Sequence, residues 1–358
     1  MTLIFFAIGL IILIAGAEAL VRGASRLAST VGISPLVVGL TVVAFGTSSP
    51  ELAVSVIASV NDKADISLGN VIGSNILNVL FILGLSAVIV PLAVSRQIIR
   101  LDVPIMIICS VLVLIMGLDG SISRTDGILF TAGIIAYTVF LIRQSRKEKE
   151  RPSDEFVKEY KAGGKKTLLI DIALVAAGLG LLVLGSRWLV NGAVMIATYL
   201  GLSELIIGLT IVAAGTSLPE VATSVIASIR GERDIAVGNI VGSNIFNILA
   251  VLGISGIAAP DGIAVPESVL RFDIPVMTAV AVACLPIFFT GNVIARWEGK
   301  LFLLYYAAYT TYIVLDSTDH YFERTFAFGM IWFVIPLTAI TLAVLVIRSI
   351  RRNRKGYA

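Results

Sequence analysis

The chain has 358 residues, of which 57% are hydrophobic and 14% charged, with a formal net charge of +3 and a mean hydropathy of +0.97. A water-soluble globule of this length needs far more polar surface, so the composition excludes one and indicates a polytopic membrane protein. Cys109 and Cys284 lie in apolar segments without disulfide or zinc spacing, His320 is the single histidine, and no nucleophile–base pair, phosphate loop or cofactor motif occurs. The sequence therefore argues against an enzyme, and nothing in it points to nucleic acid or to an obligate protein partner.

The first apolar run starts at Thr2 without a basic leader and ends in Glu18, Arg22 and Arg26, which reads as a spanning helix and not a cleaved signal. Apolar stretches follow in order at 3–28, 35–60, 66–91, 98–118, 126–142, 167–197, 203–229, 235–259, 270–290, 300–315 and 327–347. Each is near the ~20 residues a bilayer requires, giving eleven expected spans. With the N-terminus outside, 22 of the 27 Lys and Arg fall on the inner side, a strong positive-inside bias that puts the C-terminus in the cytoplasm. The charged linker at 143–166 reads as a solvated loop, with a regulatory or lipid-contacting role as the alternative. It separates two five-helix units, 1–142 and 167–315; residues 316–358 add an eleventh span and a basic tail. Because five is odd, the second unit enters the membrane from the opposite side, an inverted repeat of the kind transporters use to build a mid-membrane site.

The two units carry near copies. Gly46-Thr47-Ser48-Ser49-Pro50-Glu51 recurs as Gly215-Thr216-Ser217-Leu218-Pro219-Glu220, and Gly69-Asn70-Val71-Ile72-Gly73-Ser74-Asn75 recurs as Gly238-Asn239-Ile240-Val241-Gly242-Ser243-Asn244. Residues 33–85 match 202–254 at 30 of 53 positions, a constant offset of 169. Residues 16–23 match 185–192, and Arg100-Leu101-Asp102 matches Arg271-Phe272-Asp273; the Arg and Asp there read as interfacial anchors. A carboxylate at membrane depth costs about 3 kcal/mol or more unless compensated. Glu51 and Glu220 thus mark a cation site, with a structural role as the lesser reading. Pro50 and Pro219 each lack the N–H that the carbonyl four residues earlier would use, so helix breaks are expected there, with free carbonyls near Ala44, Thr47, Ala213 and Thr216. Breaks are expected in spans 2, 3, 7 and 8. Thr47, Ser48 and Glu51 share a helical face, as do Ser74 with Asn78 and Ser243 with Asn247. For Asn75, Asn78, Asn244 and Asn247, interhelical hydrogen bonding alone is an equal reading. Carboxylates, hydroxyls and carbonyls together suit hard cations such as Ca²⁺ and Na⁺. One Ca²⁺ neutralises the glutamate pair, whereas monovalent ions must bind in twos or threes, and two ion types competing for one charge pair is enough for exchange.

These residues resemble the alpha repeats of the calcium/cation antiporter superfamily, in its sodium/calcium exchanger branch, across residues 1–315. The resemblance implies a secondary antiporter of the prokaryotic plasma membrane, with no cofactor and with Ca²⁺ and Na⁺ as cargo. It implies Ca²⁺ between Glu51 and Glu220 with the Thr47 and Thr216 carbonyls. It also implies Na⁺ sites built from Ala44, Ser48 and Ser74 and from Ala213, Ser217 and Ser243, and a gate of helices 1 and 6 sliding on a fixed core along glycine-rich segments. Asn247 stands where many relatives carry aspartate, which argues against K⁺ co-transport. The proton-coupled branch has a further acidic residue in the second motif, absent at 71–73 and 240–242, so Na⁺ ranks above H⁺. A Ca²⁺/H⁺ antiporter is the alternative, and a cation channel the more distant one.

Overall fold

The computed structural model describes residues 2–61, 63–147, 165–199, 213–318 and 322–341, with 343, 344 and 347. The start of the expected seventh span, the middle of the charged linker, His320 and the basic tail lie outside the described residues. Among those described, eight helices are long and apolar enough to cross a bilayer: Phe6–Val31, Ile66–Ile89, Ile98–Asp119, Arg124–Ser145, Leu168–Ile196, Arg233–Ala258, Val269–Phe289 and Arg324–Thr341. The bent pair Pro35–Thr47 and Ser49–Val60 is long and apolar enough, taken together, to make a ninth. Leu218–Ile229 and Arg296–Ser317 fall on the expected seventh and tenth spans. The chain is an integral membrane protein.

Two helices break where proline removes a donor. Pro50 lies in the first turn of Ser49–Val60 and Pro219 in that of Leu218–Ile229, each helix following a serine that has left the helical region, Ser48 at φ −84°, ψ 7° and Ser217 at φ −89°, ψ 7°. The first break bends the chain by 45°. Proline in a first turn sacrifices no intrahelical bond, so the second half of each helix starts cleanly at mid-span. The breaks expected in spans 3 and 8 are absent. Ile66–Ile89 and Arg233–Ala258 are continuous, and each instead carries a π-helical turn, Asn78–Leu83 and Asn247–Leu252. With no proline to delete a donor, the ladder widens by one residue and stays bonded, re-aiming the asparagine that opens the turn.

These two continuous helices form the centre. Every residue from Ile235 to Phe246 is buried, and most of the largest hydrophobic cluster is built on and around this pair. Matched π-turns also occur at Ile98–Asp102 and Val269–Asp273; of the two aspartates expected as interfacial anchors, Asp102 is instead turned into the protein, while Asp273 is half-buried. Asp102 is fully buried and accepts from the Tyr137 hydroxyl at 2.8 Å and the Gln97 amide at 3.3 Å; Asp273 accepts from the Tyr309 hydroxyl at 2.9 Å. Arg100 and Arg271 stay at the surface. Tyr137→Phe leaves one buried Asp102 oxygen short of a donor. It is expected to cost about 1–3 kcal/mol, seen as a lowered unfolding temperature in detergent, with Asp102→Asn milder because an amide oxygen still accepts from the tyrosine.

Two short antiparallel strand pairs join the halves. Leu92 and Ala93 pair with Ile294 and Val293, and Ser121 and Ile122 with Ala264 and Ile263. The Val293–Ile294 strand follows a turn at Gly291 (φ 82°) and Asn292 (φ 53°), where left-handed backbone favours such residues.

Thr2–Val31 and Lys165–Tyr199 pack antiparallel along a glycine seam. Gly9, Gly16 and Gly23 on one helix and Gly178, Gly185 and Gly192 on the other recur every seven residues. A Cβ added at Gly16 would lie 2.7 Å from the Leu182 nitrogen, and one at Gly178 would lie 2.6 Å from that of Leu20. The matched glycines thus hold the two helices to each other. This corrects their expected use as a surface sliding on the core.

Candidate functional site

The breaks deliver both glutamates to the middle of the protein. Each sits in the first turn of its half-helix, where the helix dipole favours a negative charge. Both side chains are about 1% exposed. Each is held by the serine of the other copy: Ser48 Oγ donates to Glu220 Oε1 at 3.0 Å and Ser217 Oγ to Glu51 Oε1 at 3.0 Å. The Ser74 and Ser217 hydroxyls pair at 3.2 Å.

The second oxygen of each carboxyl, Oε2, is buried without a hydrogen-bond partner, as are Ser243 Oγ, Asn78 Oδ1 and Asn247 Oδ1. Burying an ionised carboxylate without a partner is strongly unfavourable, so these unpaired acceptors call for positive charge. The donor set is all oxygen, which suits hard cations. No group of three or more His, Cys, Asp or Glu is assembled among the described residues. A cation here would therefore draw most ligands from hydroxyl and amide oxygens, a mild field suited to cargo that must leave again.

Asn78 and Asn247 have both properties weighed from the sequence. Asn78 Nδ2 donates to Asn244 Oδ1 at 2.9 Å and Asn247 Nδ2 to Asn75 Oδ1 at 3.1 Å. Asn75 and Asn244 each donate to the other's backbone carbonyl, at 3.3 and 3.4 Å. This lattice locks the two central helices together and turns the amide oxygens of Asn78 and Asn247 away from it.

Not every expected ligand fits. The Ala44 carbonyl is occupied, accepting the Ser48 N–H at 3.0 Å and the Thr47 hydroxyl at 3.4 Å, which corrects the expectation that it is free. The backbone bonds past the two breaks run from Leu52 N–H to the Ser48 carbonyl and from Val221 N–H to the Ser217 carbonyl, both 3.1 Å; the former pattern uses neither the Gly46 nor the Thr47 carbonyl. Thr216 lies in the second break, between Ala213–Gly215 and Leu218–Ile229, and Ala213 opens that short segment. The Gly215 carbonyl accepts from Ser186 Oγ at 2.8 Å, whereas the matching residue in the first copy, Ala17, has no hydroxyl.

A second tier of residues escaped the sequence reading. Asn70 Nδ2 donates to Ser55 Oγ at 2.9 Å and to the Glu51 carbonyl at 3.3 Å. Its counterpart Asn239 donates to Ser224 Oγ at 3.0 Å and accepts from Thr47 Oγ1 at 3.1 Å. Ser55 and Ser224 each lie four residues past a glutamate and are identical in the two copies. That spacing puts serine and glutamate on one helical face, a signal that was available.

The protein family described as "Sodium/calcium exchanger protein" matches residues 1–143 and 170–315. The inner membrane protein YrbG of Escherichia coli (strain K12) is 39% identical over 71% of this chain and 78% of that protein. The sodium/calcium exchanger MaX1 of Methanosarcina acetivorans is 33% identical over 84% of this chain and 95% of that protein. Among solved structures, the sodium-calcium exchanger NCX_Mj soaked with zero Na⁺ and Ca²⁺ superposes with a TM-score of 0.74 at 30% identity, covering 86% of this chain and 96% of that one.

Proposed function

Since the chain belongs to the sodium/calcium exchanger protein family, we propose that it is a secondary antiporter exchanging Na⁺ for Ca²⁺, the two ions competing for a site centred on Glu51 and Glu220. Membership makes it a transporter and not an enzyme. The observation that carries the reading is the pair of buried, unpartnered carboxylate oxygens, Glu51 Oε2 and Glu220 Oε2, beside further orphaned oxygens on Ser243, Asn78 and Asn247. Two negative charges in a dry centre match one Ca²⁺. Ser48, Ser217 and Ser74 already bond within the cluster, and their oxygens keep lone pairs for Na⁺. Thr47, Thr216 and Ala213 enter as flanking positions at the two breaks; the Ala44 carbonyl, already accepting two bonds, joins them only by giving one up.

The fold supports eleven spans in inverted-topology units, 1–142 and 167–315, and the family match covers 1–143 and 170–315. The Leu92–Ala93 and Val293–Ile294 strands, which the charge threading puts on the inner side, do pair. So do Ser121–Ile122 and Ile263–Ala264, which it puts outside. Glu18 of the first span joins Arg230, after the seventh, at 2.7 Å, as a shared inner end requires. These contacts fit ends that share a side of the bilayer, and the positive-inside bias then gives the outer N-terminus and cytoplasmic C-terminus of this reading. In such a pseudo-symmetric frame, alternating access exchanges the roles of the two halves around a fixed site.

The test is flux. Purified protein in Na⁺-loaded liposomes diluted into choline medium is expected to accumulate ⁴⁵Ca²⁺, and collapse of the Na⁺ gradient to stop it. Uptake indifferent to Na⁺ but driven by a pH gradient would reassign the coupling ion to H⁺.

A further inference from the structure

We propose that the groove between the helix Arg324–Thr341 and the rest of the protein is a binding site for one anionic phospholipid, its acyl chain in the groove and its phosphate on Arg296 and Lys300. The family match ends at residue 315, so this last helix is an addition to the shared pattern. It buries none of its apolar window against the protein, and its Thr338 Oγ1 accepts from Tyr305 OH of Arg296–Ser317 at 2.7 Å. Behind it, against Val269–Phe289 and Arg296–Ser317, lies a groove of about 590 Å³ whose walls include Val280, Ala283, Phe302, Tyr309, Ile331 and Ala339. Such a volume lies within the ~300–1,000 Å³ span of small-ligand sites. Its walls are nearly all apolar, so water, which needs two to four polar partners, is not its natural filling. In a chain surrounded by bilayer, hydrocarbon is.

Charge selects the lipid. At the end where Arg296–Ser317 begins, Arg296 and Lys300 are exposed one helical turn apart. The nearby acid, Glu298, is turned inward, accepting the Ala295 N–H at 2.7 Å and the Thr290 hydroxyl at 3.3 Å. Trp297 is exposed between them, as expected of an aromatic at a headgroup boundary. The sequence adds Arg348, Arg351, Arg352, Arg354 and Lys355 just after the last helix. The opposite end is mixed, with Arg271 paired to Glu267 at 2.5 Å and with Asp273, Asp316 and Arg324 nearby in the chain. Basic pockets between spans at the cytoplasmic side bind anionic headgroups, and a groove basic at one end only also fixes the direction in which the lipid enters.

Native mass spectrometry of delipidated full-length protein, titrated with phosphatidylglycerol or phosphatidylcholine of the same chains, tests the site without reference to ions. One retained phosphatidylglycerol per chain is expected, with phosphatidylcholine weaker. The double variant Arg296→Gln, Lys300→Gln is expected to lose about tenfold or more of that preference, since each juxtamembrane cation adds a several-fold attraction. Ala283→Trp is expected to displace both lipids; Ala339→Trp, on the outer wall, gives the same readout if the first variant misfolds. Equal binding of the two lipids, adducts that persist after the groove is filled, or a dimer mass in place of the lipid adduct would each overturn the proposal.

Discussion

Glu51→Gln and Glu220→Gln are each expected to abolish Na⁺-driven ⁴⁵Ca²⁺ uptake while leaving a folded protein. Glutamine keeps the size of the side chain and an acceptor for the cross-repeat serine, so Ser48 or Ser217 retains its partner. What disappears is one of two negative charges. Ca²⁺ bound to the remaining carboxylate would leave a net positive charge in a centre where both glutamates are about 1% exposed. Removing one partner of a buried charge set costs about 3–5 kcal/mol. At ~1.4 kcal/mol per tenfold, that is two decades or more in Ca²⁺ affinity. A second readout separates this from simple damage. Wild-type protein is expected to unfold at higher temperature as Ca²⁺ is added, because the ion binds only the folded state. Either variant is expected to lose that shift and to be no less stable than wild type without ions, since its buried charge repulsion is relieved. Uptake surviving in both variants, or a Ca²⁺ shift unchanged in both, would remove the glutamates from the site.

The parts of this site that the sequence disclosed are those fixed by single residues. A proline inside an apolar run deletes a known donor, so the breaks at Pro50 and Pro219 were readable, and the repeat offset of 169 announced that two such breaks would meet. What the sequence hid depends on partners distant along the chain. Asn75 and Asn244 are bonded across 169 residues, and no local pattern says that their amides face each other. The π-turns at Asn78 and Asn247 have no proline-like marker, which is why breaks were expected where continuous helices stand. Asp102 was misread because it lies two residues from exposed Arg100; on a helix, that spacing puts the two on different faces, and only the structure shows Tyr137 waiting inside. The free carbonyl expected at Ala44 failed for a related reason. Pro50 removes the N–H that the Gly46 carbonyl, four residues back, would receive, while the Ser48 N–H still reaches Ala44.

Gly16→Leu is expected to produce the other large effect, with loss of folded protein and of transport together. The Cβ positions at Gly9, Gly16 and Gly23 meet the backbone of the facing helix at 2.7, 2.7 and 2.9 Å, and those at Gly178 and Gly185 meet it at 2.6 and 2.5 Å. Backbone cannot rotate away as a side chain can, so even alanine must push the helices apart along the whole seam. Overpacking typically costs about 1–3 kcal/mol, and leucine adds three further carbons to the same clash. Close approach of this kind is how spans associate where lipid supplies no hydrophobic drive. Gly180 is the built-in control: it lies on the same helix, two residues from Gly178, and a Cβ there meets nothing within 4 Å. Gly180→Ala is therefore expected to be neutral or to stabilise by up to ~1 kcal/mol through helix propensity. The measurement is fluorescence-detected size exclusion after a temperature ramp, run beside vesicle flux. A Gly16→Leu protein as heat-resistant as Gly180→Ala would mean that the two helices do not depend on this seam. If they do depend on it, the unit 2–31 with 165–199 can shift only as one body, carrying Glu18 and Ser186, and with them the contacts to Arg230 and the Gly215 carbonyl, so that movement of the seam is felt at the break that holds Glu220.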